Sequence, residues 1–327
     1  MNNLQDLNTT VSSGLGHSSN IDPKTTNQES IIFDGDKKAK FGVSSMTSTL
    51  KTVGMLKPME ALRAANPARW HYGKSFDPTK IDSNYLSFTK ILAELDVEIL
   101  WMTPKNNKIA DSVFTYDASF MTQNGAILLS PGKPLRKGEE KIHEDFYMSY
   151  RIPIIGKTSG LAVAEGGDMF WIDNKTLVIG KGFRTNQIGI EQIKSILTPV
   201  NVEIISFDLP FFKGPEACLH MMSLISIVDK KKALVYASLL PTSLVLLLKK
   251  RGYELIEAPE KEFISSEGLN INVLSVRPGV CVMISGFPQT KKALEESGVT
   301  VHTFDGTSLC IGCEGGPTCL TRPILRA

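Results

Sequence analysis

Apolar residues recur along this chain in short runs broken by glycine, proline and charged residues, not in long blocks or a sustained heptad. Runs of that kind bounded by turn residues predict strands. They fall at 97–102, 112–114, 126–129, 169–172, 176–179 and 202–207, and again at 223–228, 233–237, 254–256, 273–276, 280–285 and 299–304. An opening apolar run, Val53-Gly54-Met55-Leu56, precedes them. Apolar positions at helical spacing predict helices over 84–94, 187–197, 240–251 and 289–297. Pairs of strands stand between helices, so the order is neither a strict strand–helix alternation nor a helical bundle. The densest apolar run, Leu244 to Leu248, stops at Lys249-Lys250-Arg251. It reads as a buried helix with a basic C-terminal end and falls well short of the roughly 18 residues of a membrane span.

The start of the chain is different. Residues 1–30 hold 14 Ser, Thr or Asn, four charges and no aromatic residue. So little apolar surface does not offset ordering entropy, and a disordered polar tail is expected through residue 46, followed by one domain over 47–327. Residues 1–23 contain no Lys or Arg, which argues against a transit peptide, and no apolar stretch suggests a secretory signal. Lys+Arg 36 against Asp+Glu 34 leaves a net charge of +2, so neither a nucleic-acid footprint nor a membrane surface is expected. Five cysteines are too few and odd in number for a disulfide framework, which together with the missing signals points to the cytoplasm.

Candidate chemistry is scattered. Gly14-x-Gly16 lies in the tail and no glycine-rich loop ends in Gly-Lys-Ser/Thr, so dinucleotide and phosphate-loop chemistry are not indicated. Cys218 and Cys281 have small or apolar neighbours and read as core fillers. Cys310-x-x-Cys313 precedes Cys319, which follows Gly315-Gly316-Pro317-Thr318. Zinc would want a second pair, and only Cys319 and the distant His302 remain; a nucleophile beside a glycine turn is the other reading. Glu165-Gly166-Gly167-Asp168 opens an apolar run, where two acids repel unless a cation relieves them, although a solvated loop explains it equally. Asp111 and Asp117 bracket an apolar stretch and share a face if it is a strand. His220 begins another apolar run, where a satisfied core histidine is the commoner case. Arg136 and Arg184 lie in loops where a carboxylate could be gripped in two-pronged fashion.

Taken together and in this order, these segments resemble the guanidine-modifying superfamily with the pentein fold, a five-bladed α/β propeller. The resemblance rests on Asp111 to Asp117, the Pro131-Gly132 loop ending at Arg136, Glu165-Gly166-Gly167-Asp168, Arg184-Thr185-Asn186-Gln187-x-Gly189, His220 and Cys319. It covers about residues 50–327 and is nearest to the dimethylargininase-like branch. The roughly 280 residues after the tail divide into five units of about 56. The resemblance implies Cys319 as nucleophile, His220 as general acid and base, and Glu165 as partner of the histidine or of the guanidinium. It implies Asp117, and more loosely Asp111 and Asp168, as carboxylates for the guanidinium, with Arg136 and Arg184 on the substrate's α-carboxylate.

Those residue types suit the chemistry. A thiol with pKa near 8.5 is mostly protonated at neutral pH, and a bound guanidinium favours the thiolate that attacks its carbon. No cofactor or catalytic metal is required, and the implied partner is a small guanidino substrate; a homodimer is compatible. The branch's usual glutamate before the matching aspartate is Tyr116 here, which bears on preference for methylated arginine. Met222 stands where arginine deiminases carry an aspartate. Cys310 and Cys313 look additional, a surface or redox-sensitive pair. Dimethylarginine hydrolysis to citrulline and dimethylamine is the leading expectation. Arginine hydrolysis, amidino transfer and a binding protein of the same fold are its alternatives.

Overall fold

A hairpin followed by a helical crossover is the repeated element. The computed structural model describes residues 39–105, 107–214 and 219–327. In chain order the strands are β1 (Leu50–Leu56), β2 (Glu98–Met102), β3 (Ser119–Met121), β4 (Ala126–Leu128), β5 (Ile154–Lys157), β6 (Met169–Asp173), β7 (Thr176–Lys181) and β8 (Glu203–Asp208). Then come β9 (Ile225–Asp229), β10 (Lys232–Val235), β11 (Glu254–Glu257), β12 (Leu274–Arg277), β13 (Val280–Ile284), β14 (Thr300–Phe304) and β15 (Arg322–Arg326). The helices are α1 (Glu60–Arg63), α2 (Pro67–Trp70), α3 (Ile81–Glu94), α4 (Glu139–Ser149), α5 (Gln187–Leu197), α6 (Thr242–Lys250), α7 (Glu260–Ser266) and α8 (Pro288–Glu296).

They assemble into five three-stranded sheets. In four of them two consecutive strands pair antiparallel and the third returns parallel after a helix, as β6–β7–β8 does through α5. The first sheet is the exception: its antiparallel member is β15, which pairs Leu50 with Arg326 and Gly54 with Arg322. This is the five-unit α/β architecture that the pentein resemblance implies. The inner strands are buried on both faces, which is why β6 (Met-Phe-Trp-Ile) and β13 (Val-Cys-Val-Met-Ile) read as unbroken apolar runs. The crossover helices bury one stripe, and α5 is fixed at its start by the Asn186 side chain, which accepts from the Gly189 amide at 2.8 Å. Among the described residues no helix is long and apolar enough to cross a membrane.

Several expectations are corrected. Residues 39–46, counted with the tail, belong to the body: the Gly42 amide donates to the Ile324 carbonyl and Val43 is buried. The rest of the expected tail, and Cys218, lie outside the described residues. The strand expected at 112–114 is a 3-10 turn, Ala110–Val113. There the Ser112 hydroxyl donates to the Ile109 carbonyl and Asn107 accepts the Ile109 amide, local bonds that compete with a ladder. Asp111 and Asp117 therefore do not share a strand face. The strand expected from residue 223 starts at Ile225, after a turn over Met221–Ser223 that His220 and Ser223 cap reciprocally.

Helix α4 has no ordinary apolar stripe, because two of its buried positions are Glu139 and His143. His143 is neutral in the interior. Its Nδ1 lies 2.8 Å from the Ser119 hydroxyl, and burial, with Arg322 and Arg136 behind it, drives its pKa from 6.5 down to about 3. Between those values the unfolded chain binds a proton that the folded chain refuses. Stability therefore rises with pH across that window, by up to about 1.4 kcal/mol per pH unit, and levels off above it. His143→Gln should flatten this slope in urea titrations between pH 4 and 7; an unchanged slope would contradict a buried neutral imidazole.

Candidate active site

The site grows from the turn ahead of β6. Gly166 and Gly167 admit no side chain: a Cβ on Gly166 would lie 2.2 Å from the Tyr116 carbonyl, and one on Gly167 would lie 2.5 Å from His220 Nδ1. The two glycines thus let the His220 ring and the Tyr116–Asp117 backbone close onto the turn. On either side of them Glu165 and Asp168 are buried.

Glu165 is the hub. Its Oε2 lies 2.7 Å from His220 Nε2 and 2.9 Å from an Arg184 terminal nitrogen, while Oε1 accepts from Arg184 Nε at 3.0 Å and from the Gly132 amide at 2.7 Å. Burial works against its charge, yet Arg184 and then His220 hold the carboxyl well below the usual range. The His220 ring also accepts the Ser223 backbone amide, so the cap of the 3-10 turn fixes its plane. Asp168 accepts the Met221 amide at 2.9 Å and thereby seats that same turn; burial, opposed by His220 and Thr185, pushes its pKa up to about 6.

Asp117 accepts from the Gly167 amide at 2.9 Å and from Arg136 at 2.6 Å. Its carboxyl is lowered although burial opposes, because His220 and Arg136 stand beside it. Arg136 is committed inside the protein: besides Asp117, it meets both Glu139 oxygens at 2.9 and 2.7 Å and the Phe114 carbonyl at 3.0 Å. Asp111 accepts from the Tyr72 hydroxyl at 2.7 Å and from Lys133 at 3.0 Å. The two arginines expected on a substrate carboxylate are each closed on carboxylates of the protein itself. Asp117, Glu165 and His220 also bring one potential ligand atom each within 4.8 Å, a set that could hold a cation, but Arg136 and Arg184 already carry the balancing charge.

Cys319 is half-buried, and its Sγ accepts from the Asn272 amide nitrogen at 3.0 Å; the Asn272 oxygen in turn accepts the Thr318 backbone amide at 3.0 Å. Two compartments meet at Cys319 and His220. One, of about 50 Å³, is lined by Asp111, Asp117, Lys133, Arg136 and Arg184. The other, of about 210 Å³, is lined by Tyr116, Asn272, Thr318, Glu267 and the serines at the end of α7. Cys319, His220 and Glu314 border both. Asp168 lines neither and acts through the His220 turn.

Cys310 and Cys313, expected at the surface, are both buried; burial pushes their thiols up, which disfavours redox chemistry in this state. Cys281 is buried as expected, its pKa raised to about 12. Two contributors were not singled out from the sequence. Asn272 follows an unremarkable Leu-Asn-Ile stretch and carries no signal. Glu314 carried one: it precedes the Gly-Gly-Pro turn, and its φ of 60° is unusual for a non-glycine residue.

With this geometry in place, the comparisons are specific. The family model described as N,N dimethylarginine dimethylhydrolase, eukaryotic, matches residues 79–325. An uncharacterized protein of Bacillus subtilis is 27% identical over 281 residues, covering 85% of this chain and 93% of its own length. A solved dimethylarginine dimethylaminohydrolase of Pseudomonas aeruginosa, a cysteine-to-serine variant complexed with citrulline, superimposes with a TM-score of 0.67 at 22% identity, over 84% of this chain and 99% of that one. An amidinotransferase of saxitoxin biosynthesis from Microseira wollei gives a TM-score of 0.71 at 16% identity, over 88% and 97%.

Proposed function

Since this chain belongs to the N,N-dimethylarginine dimethylhydrolase family, whose members modify guanidino groups by acting on carbon–nitrogen bonds, we propose that it hydrolyses dimethylarginine to citrulline and dimethylamine with Cys319 as nucleophile. The observation that carries this reading is the convergence of Cys319 and the Glu165-bound His220 on the same two compartments.

In this reading the guanidinium lies against Cys319 and its charge favours the thiolate. The thiol proton of Cys319 passes to the His220 ring nitrogen not held by Glu165, which gives up the Ser223 amide to take it. The sulfur forms a bond to the guanidinium carbon, and the carbon–nitrogen bond to dimethylamine breaks as that nitrogen delivers the proton to the departing amine. The resulting thiouronium is attacked by water whose proton returns to His220; the carbon–sulfur bond breaks and a ureido product leaves. Glu165 keeps the imidazole oriented and balances its charge when protonated. Asn272 donates to the sulfur and steadies its negative form. Tyr116 removes one carboxylate from the pocket, and Glu314, bordering both compartments, offers another. Arg184 holds both Glu165 oxygens and lines the smaller compartment, so a substrate carboxylate that drew on it would be coupled through Glu165 to His220.

The roomier compartment favours one second reading. About 210 Å³ beside the sulfur leaves space for an amine that takes the amidino group in place of water. The test is release of citrulline and of amine from dimethylarginine, monomethylarginine, arginine and agmatine, each with and without an added amine acceptor. Dimethylamine and citrulline in equal amounts support the proposal. Ammonia from arginine alone, or transfer only with an acceptor, would replace it.

A further inference from the structure

Behind the site, where β15 meets β3 and β12, the interior is positively charged. Arg322 and Arg326 are both buried, and their hydrogen bonds go to neutral backbone carbonyls: Arg322 to Tyr116 and Ser119 at 2.8 and 2.6 Å, Arg326 to Ser48 and Ser275 at 2.8 and 2.7 Å. The Arg322 guanidinium lies over the Tyr116 ring at 4.1 Å and near that of Phe120 at 5.5 Å. A cavity of about 20 Å³ opens between the two arginines, and among the described residues that line it there is no Asp or Glu.

Three buried polar atoms that find no protein partner belong to residues lining this same cavity: Arg322 Nε, Trp171 Nε1 and Thr318 Oγ1. Trp171 is 2% exposed, Thr318 4% and Arg322 1%. The two nitrogens can only donate, and the hydroxyl can donate as readily as accept. Buried donors left unsatisfied are costly, and two buried cations with no carboxylate among the described residues lining their cavity are more so. A single water has two acceptor lone pairs and two protons of its own that would need acceptors here, whereas a monatomic anion accepts from every side and cancels charge. About 20 Å³ holds roughly one water-sized sphere, which admits a halide and excludes sulfate or phosphate.

We infer that this cavity is a structural anion site that takes chloride, held by Arg322, Arg326, Trp171 and Thr318. It stands apart from the reaction, although Thr318 and Tyr116 border Cys319 and Asp117, so an anion here also braces the back wall of the catalytic compartments.

The test compares the purified protein in sodium chloride, sodium bromide and sodium gluconate at equal ionic strength, gluconate being too large to enter. The unfolding midpoint is expected to be higher by about 3 °C or more in saturating halide. Trp171→Phe, which removes only the indole N–H, should reduce the difference, and Arg326→Met should abolish it. Crystals grown in bromide should show an anomalous peak between Arg322 and Arg326. Equal midpoints in halide and gluconate, a halide effect undiminished in Trp171→Phe, or a water without bromide signal at that position would each overturn the inference.

Discussion

Cys319→Ser is expected to abolish turnover, lowering kcat by about 10⁴-fold or more, because an alcohol is far less ionised and far less nucleophilic than a thiol. The fold should persist. The Asn272 amide can donate to a hydroxyl as it donates to the sulfur, and Cys319 is only half-buried, so no large cavity follows. Two readouts separate chemistry from folding: the unfolding midpoint should move little, and the mass increment of a trapped covalent intermediate should disappear. Near-normal turnover in the serine variant would rule out covalent catalysis at this position.

The second large effect is expected at Glu165. Glu165→Gln preserves shape but removes the charge that faces both Arg184 and His220. A buried guanidinium then lacks its counter-charge, and breaking one side of such a pair costs about 3–5 kcal/mol of stability. Turnover should fall by about 10² to 10⁴-fold as the imidazole loses its orienting partner and the balance for its protonated form. The pH behaviour follows from the same shift. The carboxyl is depressed in the folded state, so its stabilisation is complete above the ordinary carboxylate pKa of 4.5 and fades as pH falls below it. The wild type should therefore lose stability on acidification more steeply than the glutamine variant in that range. A variant as stable and nearly as active as the wild type would leave the Glu165 contacts without function.

The mixture of legible and illegible features has a physical pattern. Strands of the inner hairpins were plain in the sequence because burial on both faces forces continuous apolar runs, as in β6 and β13. Strand β15 was not, since its Arg322-Pro323 start and Arg326 end look like a surface tail; the arginines are instead buried at the interior cavity. Helix α4 hid behind buried Glu139 and His143, residues that pattern reasoning assigns to solvent. At the candidate site, Glu165, His220, Asp117 and Cys319 are brought together from segments far apart in the chain, which spacing alone could not show. The arginines illustrate the opposite case. Sequence pattern singled out Arg136 and Arg184, but it could not reveal that Glu139, three residues on, closes around the first, or that Glu165 closes around the second. Asn272 was invisible because one amide among apolar neighbours carries no periodicity.

The first sheet is stitched from opposite ends of the described chain, β1 with β15, and Cys319 sits three residues ahead of that stitch. Contacts so distant in sequence carry more loop-closure entropy than the local hairpins, so they are expected to form after them. The thiol is therefore expected to reach its place beside Asn272 once the far strand has docked. During refolding, recovered catalysis should serve as a clock for that final docking, running behind the helical signal; the four hairpin sheets can be complete in a chain that is still chemically silent.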